Sequence, residues 1–267
     1  MIRTYYWQPP IKRILPRARG GFRYGNAGDS FNIDLIRWAY GDGLIENVAT
    51  GGKRALFVGS IGHRAQPGDV LSGVGVKSPN LDRIDGGEIT VVGLRGPLTL
   101  DALRRAGLST DRIRFLGDPG LLIDRIYPEL MSLSVIKNRV VFIPHYRERH
   151  LYRSTKQLTI VDIDAPAFEV ARSIAQAEFV YSSSLHGLIW AHALGRPAHP
   201  VAPNAAGEAS FKYRDYCESI GLAFNPAESL DEALRKPHSV SPADVSSVKA
   251  GIVLPSSKDL RAAGVLT

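Results

Sequence analysis

Apolar and polar positions alternate in blocks along nearly the whole chain. Short apolar runs ("ALFV", "ITVVG", "VVFIP", "FVYS") are each followed, after a polar or glycine-bearing turn, by a segment with apolar residues every three to four positions. This is the pattern of parallel strands joined by crossover helices. A strand buried on both faces reads as one apolar run, while its return helix needs only one apolar stripe. The pattern predicts strands near Arg3–Trp7, Ala55–Val58, Asp69–Val74, Ile89–Gly93 and Ile113–Leu116, then Arg139–Pro144, Leu158–Ile163, Phe179–Ser182 and Ala198–Val201. Helices are predicted over Phe31–Tyr40, Pro97–Ala106, Gly120–Tyr127, Ala165–Ala177, Leu185–Leu194, Ser210–Ile220 and Leu230–Arg235. The fold class is therefore α/β. The series breaks and restarts at "MSLSVIKN", which predicts two similar halves, 1–134 and 135–267, facing across a cleft. The tail from Pro242 is weakly patterned and is read as ending in a helix that returns to the first half.

Composition narrows this picture. With 267 residues and 44% hydrophobic content the chain can fill an ordinary core, and the single Cys217 allows neither an internal disulfide nor a multi-cysteine zinc cluster. The basic N-terminus lacks the apolar core of a signal peptide, and no run approaches the roughly 18 apolar residues of a membrane span. A cytoplasmic protein is expected. A formal charge of +7 calls for an anionic partner: nucleic acid, an anionic membrane face, or a phosphorylated or carboxylated small substrate. No zinc finger, homeodomain-like stretch or RNP-like aromatic motif is present, so nucleic acid is set aside. Lys12, Arg13, Arg17, Arg19 and Arg23 form a basic loop, readable as a solvated surface or as a contact with lipid headgroups.

In parallel sheets ligands sit beyond the carboxyl ends of the strands, and the polar clusters of this sequence fall there. In "YGNAGDSF", Asn26, Gly28 and Asp29 form either a capped turn, with Asp29 or Ser30 as the cap, or a flexible backbone that presents amides and a carboxylate to a reacting group. Arg95, before Gly96 and Pro97, reads as a two-point fork for a carboxylate or phosphate, or as a salt bridge between the halves. Asp118, in "GDPG", reads first as a helix cap. His145 ends a strand, where it could meet a sugar hydroxyl or simply pack. In "SSSLHGL", the hydroxyls and amides of Ser182, Ser183 and Ser184 precede a helix opened by Leu185, His186 and Gly187, an arrangement suited to an anion. The helix dipole should lower the pKa of His186 and leave a neutral imidazole for acid/base work. No phosphate-loop motif, Gly-x-Ser-x-Gly elbow or His-Glu-x-x-His is present, so metal and serine hydrolases are disfavoured and no metal site is expected.

Taken in order and spacing, Gly25-Asn26-Ala27-Gly28-Asp29, Arg95-Gly96-Pro97, Gly117-Asp118-Pro119, Ile143-Pro144-His145-Tyr146 and Ser182-Ser183-Ser184-Leu185-His186-Gly187 resemble the polysaccharide pyruvyl transferase family. Within it, the exopolysaccharide ketal-pyruvate transferases are the most similar. The resemblance implies two Rossmann-like halves in a GT-B-like pair. It also implies transfer of pyruvate from phosphoenolpyruvate to a saccharide, as a cyclic ketal with release of phosphate and with no further cofactor. In that frame Arg95 and the helix mouth, Ser182 to Gly187, hold the donor's anions, with Asn26 and Gly28 beside them. His186 is the proton donor, Asp29 a base or orienting carboxylate, and His145 lies on the acceptor side. One acceptor form implied is a lipid-linked oligosaccharide at the inner membrane face, where the basic loop would make a peripheral contact. Many members carry an arginine where this chain has Ser184; Lys212, Arg214, Lys53 or Arg54 could supply that charge. Two alternatives stand beside this reading: a nucleotide-sugar-dependent glycosyltransferase of the same architecture, and a non-catalytic module for anionic saccharides or membranes.

Overall fold

The computed structural model describes residues 1–11, 21–85, 87–204, 210–235 and 240–267. Most of the basic loop, Lys12 to Arg19, lies outside the described residues. The chain is α/β, with two wholly parallel sheets. The first contains β1 (Ile2–Thr4), β2 (Ile45–Asn47), β3 (Ala55–Leu56), β4 (Val70–Ser72), β5 (Thr90–Leu94) and β6 (Phe115–Leu116), in the order β2-β1-β3-β4-β5-β6. The second contains β7 (Val140–Ile143), β8 (Thr159–Ile160), β9 (Phe179–Ser182) and β10 (Ala198–Pro200), in the order β10-β9-β7-β8. Every strand predicted from the apolar runs is present. The unpredicted β2 is a short edge strand, "IEN", whose polar centre gives no apolar run to detect.

The helices are α1 (Ala27–Tyr40), α2 (Pro97–Arg105), α3 (Ile123–Ile126), α4 (Ala167–Ala175), α5 (Leu185–Ala193), α6 (Phe211–Ser219), α7 (Leu230–Arg235), α8 (Ser246–Gly251) and α9 (Ser257–Ala262). Two boundaries bear on the site. Helix α1 starts four residues before the predicted Phe31, because Asn26, not Asp29 or Ser30, is its cap: the Asn26 side-chain oxygen accepts from the Gly28 amide at 3.2 Å. Asp29 therefore stands inside the first turn. The predicted helix from Gly120 opens instead as a 3₁₀ turn, Pro119–Leu122, capped by Asp118, before continuing as α3.

Helix α5 is buried at all nine positions, as expected of a helix apolar on every side. It packs against the Pro119–Leu122 turn, α4 and strands β9 and β10, and so carries His186 into the middle of the molecule. One apolar cluster includes Phe31 and Leu35 of α1, Ile143 of β7, Leu188 and Trp190 of α5, and Leu260 of α9. The tail closes on the first sheet, where the Arg3 amide donates to the Val265 carbonyl at 3.1 Å and Ile2 bridges Leu266. Among the described residues, no helix is long and apolar enough to cross a membrane.

Candidate active site

A cavity of about 270 Å³ lies at the carboxyl ends of strands from both sheets. Tyr5 and Trp7 reach it after β1, Gly59 to Ile61 after β3, Lys77 after β4, His145 to Arg147 after β7, and Ser184 to His186 after β9. Asn26 and Asp29 enter from α1 and Lys212 from α6.

Local hydrogen bonds fix Asp29. The buried Asn32 side chain donates to the Asp29 carbonyl at 2.9 Å and to the Val58 carbonyl at 3.1 Å, and accepts from the Val58 amide at 3.0 Å. Its amide nitrogen and its oxygen both serve to tie the first turn of α1 to the end of β3. The loop before α1 is held from the other sheet: the Asp164 carboxylate accepts from the amides of Arg23, Tyr24 and Gly25 at 2.8–3.1 Å. Gly28 has no side chain because there is no room for one. A Cβ there would lie 2.1 Å from Nδ1 of His186, so the imidazole rests on the Gly28 backbone, one residue from Asp29.

Burial, opposed by Lys212, Lys77 and the Asn26 amide that donates to Asp29 at 2.8 Å, pushes the Asp29 carboxyl up to about 7. Burial pushes His186 down to about 3, with Arg95 and Lys212 adding to the effect. The lowering expected at a helix N-terminus is thus present, although burial is its main cause. A carboxyl that titrates near neutrality and a neutral imidazole share one cavity wall, beside two lysines. That combination suits proton transfer next to a bound anion.

The remaining residues singled out in the sequence divide. Ser184, Leu185, His145 and Lys212 line the cavity. Ser182 and Ser183 do not: both are fully buried, and their hydroxyls and amides are occupied. Ser182 Oγ donates to the Ile143 or Ser184 carbonyl, at 3.0 and 2.8 Å, and accepts from the Ser184 amide at 3.0 Å. Ser183 Oγ donates to Glu148 and accepts from the His145 amide at 2.8 Å, while the Ser183 and Ser184 amides both donate to the Ile143 carbonyl. These serines brace the ends of β7 and β9. Gly187 has a similar role, since a Cβ there would meet Ser182 Oγ at 2.3 Å.

Arg95 is also sealed behind the wall. Its guanidinium donates to Asp215 of α6 at 2.9 Å, to Ser60 Oγ at 2.7 Å and to the Val76 carbonyl at 2.8 Å, at zero exposure. The salt bridge between the halves is the alternative this side chain adopts, and it touches the cavity only through Ser60. Of the four groups that could replace the charge expected at position 184, Lys212 is at the cavity. Arg54 is buried against Asp69 at 2.6 Å, Arg214 is exposed away from the cavity, and Lys53 lines a different groove. Tyr146 stands in the Ile143–Tyr146 motif without an assigned role, and sequence reasoning missed Lys77, Ser60, Tyr5 and Trp7. Their only signal is a place one to five residues beyond a strand's end. Among the described residues, no three His, Cys, Asp or Glu side chains gather as a metal-binding group.

Residues 30–204 match the family described as polysaccharide pyruvyl transferase. The chain is 27% identical over 239 residues to the succinoglycan biosynthesis protein ExoV of Rhizobium meliloti (strain 1021), covering 84% of this chain and 67% of that one. A solved structure of a functionally uncharacterized protein from Klebsiella pneumoniae subsp. pneumoniae NTUH-K2044 aligns at 14% identity and a TM-score of 0.43, over 85% of this chain and 93% of that one. The family match begins one residue after Asp29 and spans the buried Arg95, the Asp118 cap and the His186 helix, and the chain belongs to the polysaccharide pyruvyl transferase family.

Proposed function

We propose that this chain transfers pyruvate from phosphoenolpyruvate to two hydroxyls of an exopolysaccharide precursor as a cyclic ketal, releasing phosphate. The observation that carries the reading is the pairing of Asp29 and His186 on one wall of a cavity that also holds Lys77 and Lys212. Phosphoenolpyruvate brings a carboxylate and a phosphate, and cationic groups are required at both ends. Lys212 and Lys77 meet that need, with the amides of Leu185 and His186 at the mouth of α5. The two halves, 1–134 and 135–267, would act as a GT-B-like pair of Rossmann-like units with the reaction in the cleft between them.

In this reading the roles expected from sequence are exchanged, as the opposite shifts of the two groups support. Asp29, raised to about 7, keeps a proton near neutral pH and delivers it to C3 of the donor, making C2 electrophilic. The first sugar hydroxyl attacks C2 and loses its proton to neutral His186, which passes it to the departing phosphate. The second hydroxyl closes the ketal and returns a proton to Asp29. Atoms and charges balance: the methyl group gains one proton, phosphate leaves with the other, and both side chains are restored. The half-buried Trp7 and Tyr146, ring centroids 5.1 Å apart, offer apolar faces to the sugar, beside His145.

A lipid-linked saccharide at the inner membrane face is one acceptor form in this reading. The test is phosphate release from phosphoenolpyruvate with a panel of hexose-terminated acceptors, lipid-linked ones included. Acceptor-dependent release is expected. No release with any acceptor, together with nucleotide release from a nucleotide sugar, would replace this reading with glycosyl transfer.

A further inference from the structure

Among the buried polar atoms behind the cavity wall that have no hydrogen-bond partner are Asp118 Oδ2 and His186 Nε2. A buried polar atom left unpaired loses its hydration without compensation, so a pair of them in one place needs a reason. Asp118 is 1% exposed, and its other oxygen, Oδ1, accepts from the Gly120 amide at 2.8 Å as the cap of the Pro119–Leu122 turn. The cap thus accounts for half of the carboxylate. The two orphaned groups meet over Gly120, where a Cβ would lie 3.0 Å from Asp118 Oδ1 and 3.5 Å from His186 Cδ2, the carbon bonded to Nε2. Ile189 Cγ2 would be as close, at 3.0 Å, so only a bare glycine lets the carboxylate and the imidazole edge approach each other here. Nε2 is the sealed nitrogen of His186, and Nδ1 is the one lying over Gly28.

The surroundings of this layer are charged but otherwise engaged. Arg95, Asp215 and Tyr216 act on Asp118, and Arg95 and Lys212 on His186. Arg95 and Asp215 pair with each other at 2.9 Å, and the Tyr216 hydroxyl pairs with His192 Nδ1 at 2.9 Å. The Trp190 ring lies 5.7 Å from that of His186, and its Nε1 is also unpartnered.

We propose, building on the function above, that Asp118 is a positioning residue for His186. Through a shared internal water it holds the imidazole as the Nε2–H tautomer, so that the Nδ1 lone pair faces the reacting hydroxyl. A carboxylate that accepts through water from Nε2–H satisfies both orphans and fixes which nitrogen is the base. The second oxygen of Asp118 is then part of the reaction machinery, while the first caps a turn.

The discriminating variant is Asp118→Asn, because its side-chain oxygen can still cap Gly120 while the second oxygen becomes an amide donor. Nitrogen-15 NMR of the full chain, with His186 assigned among the seven histidines by its loss in His186→Gln, reads the tautomer directly. The expected result is Nε2–H at His186 in the wild type and a shift toward Nδ1–H in Asp118→Asn, at an unchanged melting temperature. In the pyruvyl transfer assay, kcat should fall about ten-fold or more with the KM for phosphoenolpyruvate unchanged. An unchanged His186 tautomer in Asp118→Asn would overturn the proposal, as would a wild-type Nδ1–H tautomer. The spectra decide this even if the chain transfers no pyruvate. A tautomer shift without pyruvyl transfer would support Asp118 and remove only the assigned reaction.

Discussion

Two layers of polar residues stand at the same strand ends, and they differ in what they can touch. The front layer, Asp29, His186, Lys77 and Lys212, lines the cavity. The back layer, Arg95, Asp118, Asp215, Ser182 and Ser183, is buried at 1% exposure or less. In the front layer, groups are held beside space a ligand can fill, with burial pushing the Asp29 carboxyl up to about 7 and the His186 imidazole down to about 3. In the back layer nearly every donor and acceptor is spent on joining α2, α6, β7 and β9. The difference teaches that position at a strand's carboxyl end selects for polar residues of two kinds, those that meet substrate and those that hold the loops that meet it.

This comparison can be broken by substitution. The largest effect is expected from His186→Ala, which should lower kcat for pyruvyl transfer by about 10²- to 10⁴-fold with little change in unfolding midpoint. Steady-state kinetics with denaturant melts checks both parts. Arg95→Ala should act in the opposite manner. It leaves Asp215 buried without its cation, and a loss of about 3–5 kcal/mol in urea unfolding is expected. A fully stable Arg95→Ala chain that no longer bound phosphoenolpyruvate would move Arg95 into the front layer. Lys212→Met should weaken donor binding by about 10- to 100-fold, as expected for loss of a charge-assisted contact, with a smaller change in acceptor KM.

The smallest effect is a pH dependence of stability. The folded-state pKa of Asp29, about 7, lies above its ordinary 3.8, so between those values the native state holds more protons than the unfolded one. Its stabilising contribution is complete below about 3.8 and is lost as pH rises through about 7. Asp29→Asn should remove that decline, making the variant the more stable chain at pH 8 in thermal melts. His186 and His192, pushed down to about 3 and about 4 from 6.5, have the opposite sign: their contribution is present above 6.5 and lost as pH falls. His192→Gln should therefore lessen acid destabilisation without changing transfer at pH 7.

Much of the fold was legible because apolar runs and helical stripes are local signals. The nine predicted strands and the order of helices follow from them, and the shared core follows from α5, an apolar helix with no polar face to expose. The edge strand β2 escaped because an edge strand need not be apolar. The site was legible as a set of loops but not as a surface. Nothing in "SSSLH" says that the first two serines turn inward to Ile143 and Glu148 while Ser184 and His186 face the cavity. That choice depends on the end of β7, some 39 residues earlier. Lys77 carries no motif, and it reaches the site only because β4 lies beside β3 in the sheet.

The central claim, that the front layer protonates a phosphoenolpyruvate carbon and joins it to a saccharide, has one direct test. The reaction is run in D₂O with a saccharide acceptor, and the product is read by NMR. The account predicts a cyclic pyruvate ketal whose methyl group carries a single deuterium, formed in step with phosphate and absent with His186→Ala. A ketal methyl without deuterium, or consumption of the donor with no ketal on the acceptor, would contradict it.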